Sequence, residues 1–231
     1  MNRYSRNILT IGKEGQQRLS EGSAFVIGCG ALGGQVAMLL AGAGVRQIGL
    51  ADFDTIDLTN LQRQLFFKEE ETGKYKIDAL SARMSALNSE VKIAKYPVMI
   101  TRHNASDILK EYDFIIDATD NPASKYTINE ICRELGKPHC IGGVAGWRGQ
   151  VMSFDGSSGA DGFSALFPRP QAEEEGILPC ELEGVIGAAA SLIASVQAGE
   201  AIKFLSGEGE MLYDKVLVMD LKSCMFQTFH I

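Results

Sequence analysis

The chain has 231 residues, 45% of them hydrophobic, and 29 acidic against 22 basic side chains give a formal net charge of -7. That is apolar material for one substantial α/β core, and no Pro/Gly/Ser-rich linker divides it, so residues 1–231 read as one domain. The acidic balance gives no reason to expect nucleic acid, and the five cysteines contain no CxxC pair, which argues against zinc and favours a reducing cytoplasm over a disulfide framework.

The first six residues lead into no long apolar run, so no signal peptide is expected. Residues 24–27 form an apolar run of strand length, and Leu32, Val36, Leu39, Leu40 and Ala43 follow at helical spacing. Residues 47–52 are a second strand, and Ile77, Leu80, Met84 and Leu87 mark a helix stripe. Strands are expected at 91–96 and 114–117. A helix follows over Ile128, Ile131, Cys132 and Leu135, and another strand runs over 139–141 after Pro138. This alternation predicts a doubly wound, Rossmann-like α/β fold with a mainly parallel buried sheet.

The pattern then changes. Residues 150–154 look like a strand with no helix directly after it. Loop composition at 155–170, followed by Glu173, Glu174 and Glu175, predicts a mobile surface loop over 155–179. Residues 187–205 are apolar but carry Gln197, Glu200 and Lys203, which reads as a buried helix and not a membrane span. Residues 215–220 and 225–229 predict antiparallel C-terminal strands extending the sheet.

Gly28-Cys29-Gly30-Ala31-Leu32-Gly33 follows a strand and opens a helix, the context in which GxGxxG carries a nucleotide. Gly28 permits the turn, Gly30 lets the backbone approach a phosphate, and Gly33 lets the helix pack close to the strand. The helix N-terminus offers free N–H groups and positive dipole to an anion. Asp52, ending the second strand, is placed to bond ribose hydroxyls. Taken alone, the loop fits an NAD-dependent oxidoreductase as well. Asp54, Asn60, Gln64, Arg63 and Lys76 then enter the same region, and Arg63 and Lys76 can supply the cations that a triphosphate needs beyond the helix dipole. For Arg63 the alternative is a surface ion pair; for Lys76 it is a solvated lysine starting a helix. Asp120 and Asn121 follow the strand at 114–117, where one can hold Mg²⁺ and the other can cap the next helix.

Several strings occur in fixed order. They are Arg3-Tyr4-Ser5-Arg6, GCGALGG, Asp52-Phe53-Asp54, Asn60-Leu61-Gln62-Arg63-Gln64, Gly73-Lys74-Tyr75-Lys76 and Thr119-Asp120-Asn121. Cys180-Glu181-Leu182-Glu183-Gly184-Val185-Ile186-Gly187 and Gln197-Ala198-Gly199-Glu200-Ala201-Ile202-Lys203 complete the set. Over nearly its whole length the chain resembles the ThiF/MoeB/HesA family, bacterial relatives of ubiquitin-activating enzymes. The resemblance implies a homodimeric adenylyltransferase that activates the terminal Gly-Gly carboxylate of a ubiquitin-like sulfur-carrier protein with ATP and Mg²⁺. It assigns the ribose to Asp52, the phosphates to Asn60, Arg63 and Lys76, and Mg²⁺ to Asp120. Arg6 matches the arginine that a partner subunit contributes in trans. Cys180 matches a cysteine that takes part in sulfur transfer in thiamine-pathway members, which makes a sulfur donor a further expected partner; an inert loop thiol is the alternative.

The favoured carrier is ThiS-like, with a MoaD-like carrier of molybdopterin synthesis as the alternative. In either case the carrier carboxylate and ATP are both anions, so the chemistry requires charge neutralisation and alignment, not a protein nucleophile. The zinc-binding CxxC pairs typical of the family are missing here. Cys29 is expected to serve by its small size, Cys132, Cys140 and Cys224 to lie in the core, and His103, His139 and His230 to be structural or exposed. A binding module without chemistry would lack Asp120 or Arg63, and a tRNA-modifying relative would want a basic face.

Overall fold

In the computed structural model, which describes residues 3–156, 162–168 and 184–231, the apolar runs form one eight-stranded sheet in the order β3-β2-β1-β4-β5-β6-β7-β8. β1 (Ser23–Ile27), β2 (Gln47–Ala51), β3 (Lys92–Tyr96), β4 (Phe114–Asp117) and β5 (His139–Ala145) are parallel neighbours. β6 (Arg148–Phe154), β7 (Lys215–Asp220) and β8 (Met225–His230) extend the sheet antiparallel. This is the expected doubly wound fold with antiparallel C-terminal strands. β5 runs longer than its apolar core predicts because residues 142–145 pair with β6.

Helices cover both faces. α1 (Ser5–Leu19), α2 (Gly33–Ala43), α3 (Lys76–Leu87) and α7 (Gly187–Ser206) share one apolar layer with Val26, Leu50 and Ile116. α4 (Ala105–Leu109) and α5 (Pro122–Glu134) cover the other, where Phe25, Tyr112 and Ile115 meet Ile128 and Ile131. α1 is absent from the sequence reading because Gly12, at φ 71 and ψ 173, breaks its helical run and only Gly15, Gln16 and Leu19 are buried. The polar groups inside apolar α7 are accounted for: Glu200 accepts from Ser153 Oγ at 2.7 Å and the Leu212 N–H at 2.8 Å, and pairs with Lys203. No helix among the described residues is long and apolar enough to cross a membrane.

Of the stretch expected to be a mobile loop, residues 157–161 and 169–179 lie outside the described residues; within the rest, α6 (Gly162–Leu166) buries Phe163 against Tyr126 and Phe167. One expectation changes: Cys224 is exposed, not in the core, because it occupies the β7–β8 turn at φ 56. His139 is structural, fully buried with a ring nitrogen 3.1 Å from Asn129 Oδ1. Cys132 and Cys140 are buried as expected, and Cys29 is buried too.

Candidate active site

Strand order reverses between β1 and β4, and in such sheets ligands bind beyond the carboxyl ends of the strands at that reversal. The glycine loop leaves β1 there and the Asp120 loop leaves β4. A Cβ on Gly28, whose φ is +88, would sit 3.0 Å from the Ala118 carbonyl oxygen, so the two loops are in direct contact. A Cβ on Gly33 would lie 1.8 Å from the Gly28 oxygen and one on Gly34 1.9 Å from the Phe66 ring. Gly30 has no such crowding: the nearest atom to its Cβ would be Gln64 Nε2 at 3.6 Å. Its smallness therefore serves open space above the loop.

Asp52 fastens this loop to β2. Its Oδ2 accepts the Cys29 N–H at 2.6 Å and its Oδ1 the Asp54 N–H at 2.7 Å. Burial pushes its carboxyl above the ordinary range, and the two backbone N–H groups and the Lys76 charge pull it back. Each oxygen keeps lone-pair capacity, so a sugar hydroxyl can still be accepted. The Cys29 thiol is pushed well up by burial and stays protonated, consistent with a packing role.

Residues 52–76 leave the sheet and return to it. Thr55 bridges Tyr75, Ile56 N–H donates to Lys74, and the Lys76 N–H donates to the Asp54 carbonyl. This closure brings the Lys76 ammonium to 2.9 Å from Asp54 Oδ2. Lys76 is buried, which removes the solvated-lysine alternative; its side chain is 9% exposed and its partner's 52%. Asn60 belongs to a capping box in which its Oδ1 accepts the Asp57 N–H at 3.3 Å, and its amide donors have no bond among the described residues. Arg63 bonds the Thr59 carbonyl at 3.0 Å and has no ion pair among the described residues. Gln64 is buried beneath Gly30 with its Oε1 unpartnered among the described residues.

At the end of β4, Asn121 is the helix cap: its Oδ1 accepts from Ala123 N–H at 2.8 Å and Ser124 N–H at 3.4 Å. Asp120 is exposed, with no side-chain bond among the described residues. Capping and metal candidacy thus fall on different residues. Among the described residues no group of three or more His, Cys, Asp or Glu side chains could cage a metal alone. A single carboxylate free among the described residues at the end of β4 fits Mg²⁺, which keeps waters and takes its other ligands from phosphates.

Asp117, Lys125 and Gln197 also meet here, and the sequence analysis gave none of them a site role. Asp117 is fully buried, and its backbone oxygen accepts Gln197 Nε2 at 2.8 Å. The available signal was an acid ending a buried strand and a glutamine inside an apolar helix. Cys180 lies outside the described residues.

Arg6 stands apart. Its neighbour Tyr4 packs against Gly44 and bonds Asn88 and Glu90, while Asn7 bonds the Ala43 carbonyl. These contacts put the start of α1 at the C-terminal end of α2, whereas the glycine loop is at its N-terminal end. Eleven residues of helix separate them, roughly 16 Å, and the exposed Arg6 side chain has no bond among the described residues.

The arrangement is that of a doubly wound α/β protein whose glycine loop lies at the strand reversal, with the buried Lys76 charge acting on Asp52 and Cys29. The ThiF family profile matches residues 4–231, and the chain belongs to this family. It is 37% identical over 232 residues to the adenylyltransferase and sulfurtransferase MOCS3 of Dictyostelium discoideum, covering 99% of this chain and 54% of that protein. It is 36% identical to the sulfur carrier protein adenylyltransferase of Thermus thermophilus, covering 98% of this chain and 86% of the relative. The probable adenylyltransferase/sulfurtransferase MoeZ of Mycobacterium tuberculosis is 35% identical, with 99% and 59% covered. The chain thus spans little more than half of the first and third of these. Escherichia coli MccB crystallised with MccA-N7isoASN has the same fold at a TM-score of 0.86 and 23% identity, over 99% of this chain and 71% of that one.

Proposed function

We propose that the protein is an ATP-dependent adenylyltransferase that activates the C-terminal carboxylate of a ubiquitin-like sulfur-carrier protein. The observation that carries this reading is the buried Lys76, held at Asp54 with its charge acting on Asp52 and Cys29, beside a glycine loop that touches the loop leaving β4. The names of relatives at 35–37% identity support the same chemistry. The carrier carboxylate attacks the α-phosphorus, the bond to the bridging oxygen breaks, and pyrophosphate leaves. Both reactants are anions, so the residues work by neutralising charge and holding the in-line geometry. Gly28, Gly30 and the α2 N-terminus bind phosphate, Asp52 holds the ribose, and Asn60, Arg63 and Lys76 orient the departing phosphates. Mg²⁺ held by Asp120 would screen the phosphate oxygens. An NAD-dependent oxidoreductase would not need these cations.

Relatives named MOCS3 and MoeZ favour a MoaD-like carrier over the ThiS-like one that the motifs first favoured. The test is ATP–pyrophosphate exchange with MoaD-like and ThiS-like carriers, each with and without its last glycine. Exchange is expected with one intact carrier and its loss on removing that glycine. No exchange with either, together with tight binding of a nicotinamide dinucleotide, would overturn the reading. Cys180 is proposed for a later sulfur-transfer step, so Cys180→Ala should keep exchange.

Arg6 is proposed to act in trans in a homodimer, since about 16 Å of α2 exceeds its reach to its own glycine loop. Mixed dimers of Arg6→Ala and Asp120→Ala chains should recover up to about a quarter of wild-type exchange at random pairing, because one of the two sites is intact in half of the dimers. Heterodimers that form but show no recovery would remove the shared site.

A further inference from the structure

Lys125 belongs to α5 and no motif or relative's name assigns it a task, yet it is mostly buried, with its side chain 14% exposed. Its ammonium donates to the Gly142 carbonyl at 2.7 Å and lies 3.5 Å from Asp117 Oδ1. Gly142 lies midway along β5 and Asp117 ends β4, so one cation ties the carboxyl end of β4 to its parallel neighbour. The same Asp117 Oδ1 accepts the Thr119 N–H at 2.9 Å and the Thr119 hydroxyl at 2.7 Å, folding the backbone directly after the strand. Gln197 secures the backbone of Asp117 from α7, lying so close over β5 that a Cβ on Gly142 would be 2.4 Å from its Cδ. Asn121 then fixes the far side of the loop as the helix cap.

Asp120 is therefore the single outward carboxylate of a four-residue turn pinned at both ends. The clamp has an open feature: Asp117 Oδ2 is fully buried and has no partner among the described residues. A buried carboxylate with a free oxygen depends on its one cation, since removing that cation leaves the charge uncompensated. We infer that Lys125 is a positioning residue that, through Asp117 and Gly142, holds the turn at 118–121 so that Asp120 faces the nucleotide. This rests on the adenylation reading for its catalytic consequence, but not for the clamp itself.

The experiment separates the two. Amide hydrogen exchange at Ala118 and Thr119, whose N–H groups are bonded to Ile27 and Asp117, is measured on the nucleotide-free protein, alongside the Mg²⁺ concentration needed for half-maximal pyrophosphate exchange. Lys125→Met is expected to speed amide exchange at these positions by about 10-fold or more, reflecting local opening. The Mg²⁺ requirement is expected to rise by about 10-fold while KM for ATP changes by less than about 3-fold. Such a split marks a lost positioning contact and not a general loss of binding. Lys125→Arg should restore most of both. If Lys125→Met fails to fold, the Lys125→Met/Asp117→Asn double variant removes both charges and carries the same measurements. Wild-type protection at Ala118 and Thr119 in a folded Met variant would overturn the clamp even if the wild type proved inactive with every carrier. Faster amide exchange with an unchanged Mg²⁺ requirement would overturn its role in placing Asp120.

Discussion

Asp120→Ala is expected to lower ATP–pyrophosphate exchange by about 100-fold or more, the usual cost of one preorganised electrostatic contact, while thermal unfolding stays near wild type. The separation follows from where the bonds at this turn go. Asp120 is exposed and gives no side-chain bond to the described fold, whereas its neighbour Asn121 caps α5 through Ala123 and Ser124. Losing the Asp120 carboxylate therefore removes nothing that holds the helix. Asn121→Ala is the opposite control: it should cost about 1 kcal/mol of stability, as cap deletions do, and leave most of the exchange. Thermal melts and initial rates on the two variants decide the matter. A loss of less than about 10-fold for Asp120→Ala, far below the cost of such a contact, would remove its proposed metal role.

Why these two adjacent residues divide the labour was not legible from the string Thr119-Asp120-Asn121, since aspartate and asparagine are both good caps. The choice is made by the turn that Asp117 builds, which leaves Asn121 at the cap position in extended geometry. Local patterns served well where the signal is local. Apolar runs of strand length set the strands, and the helical stripes between them set the parallel direction up to β5. They failed where a feature depends on distant partners. Lys76 looks like any helix-start lysine until the Thr55–Tyr75 bridge returns it to Asp54, 22 residues earlier. Gln197 looks like a polar interruption until it reaches the Asp117 carbonyl, 80 residues away. α1 escaped notice for a different reason: a glycine breaks its period, and its burial is confined to a few positions.

The glycine loop offers the sharpest separation of folding from binding, because its glycines are small for different reasons. Gly33→Ala should lower stability by about 3 kcal/mol or more, since its Cβ would stand 1.8 Å from the Gly28 carbonyl oxygen and 2.9 Å from Val26 Cγ1. In a domain of this size that is roughly 6–12 °C in Tm. No flexible side-chain tip can move aside there, because the closest atom is backbone at the end of β1, and shifting it would drag the Cys29–Asp52 bond with it. Gly30→Ala should behave otherwise. Its backbone lies outside the left-handed region and the nearest atom to its Cβ would be Gln64 Nε2 at ordinary contact distance. Stability should stay within about 0.5 kcal/mol, the range of unobtrusive substitutions, while the new methyl occupies the surface that a phosphate must approach. A severe loss of exchange, about 100-fold, is expected from displacing that phosphate from the helix dipole and the Lys76 and Arg63 cations. Calorimetry on both variants together with exchange kinetics separates the two causes. Full activity in a folded Gly30→Ala variant would mean that no phosphate passes over this residue, and the loop would then serve the fold alone.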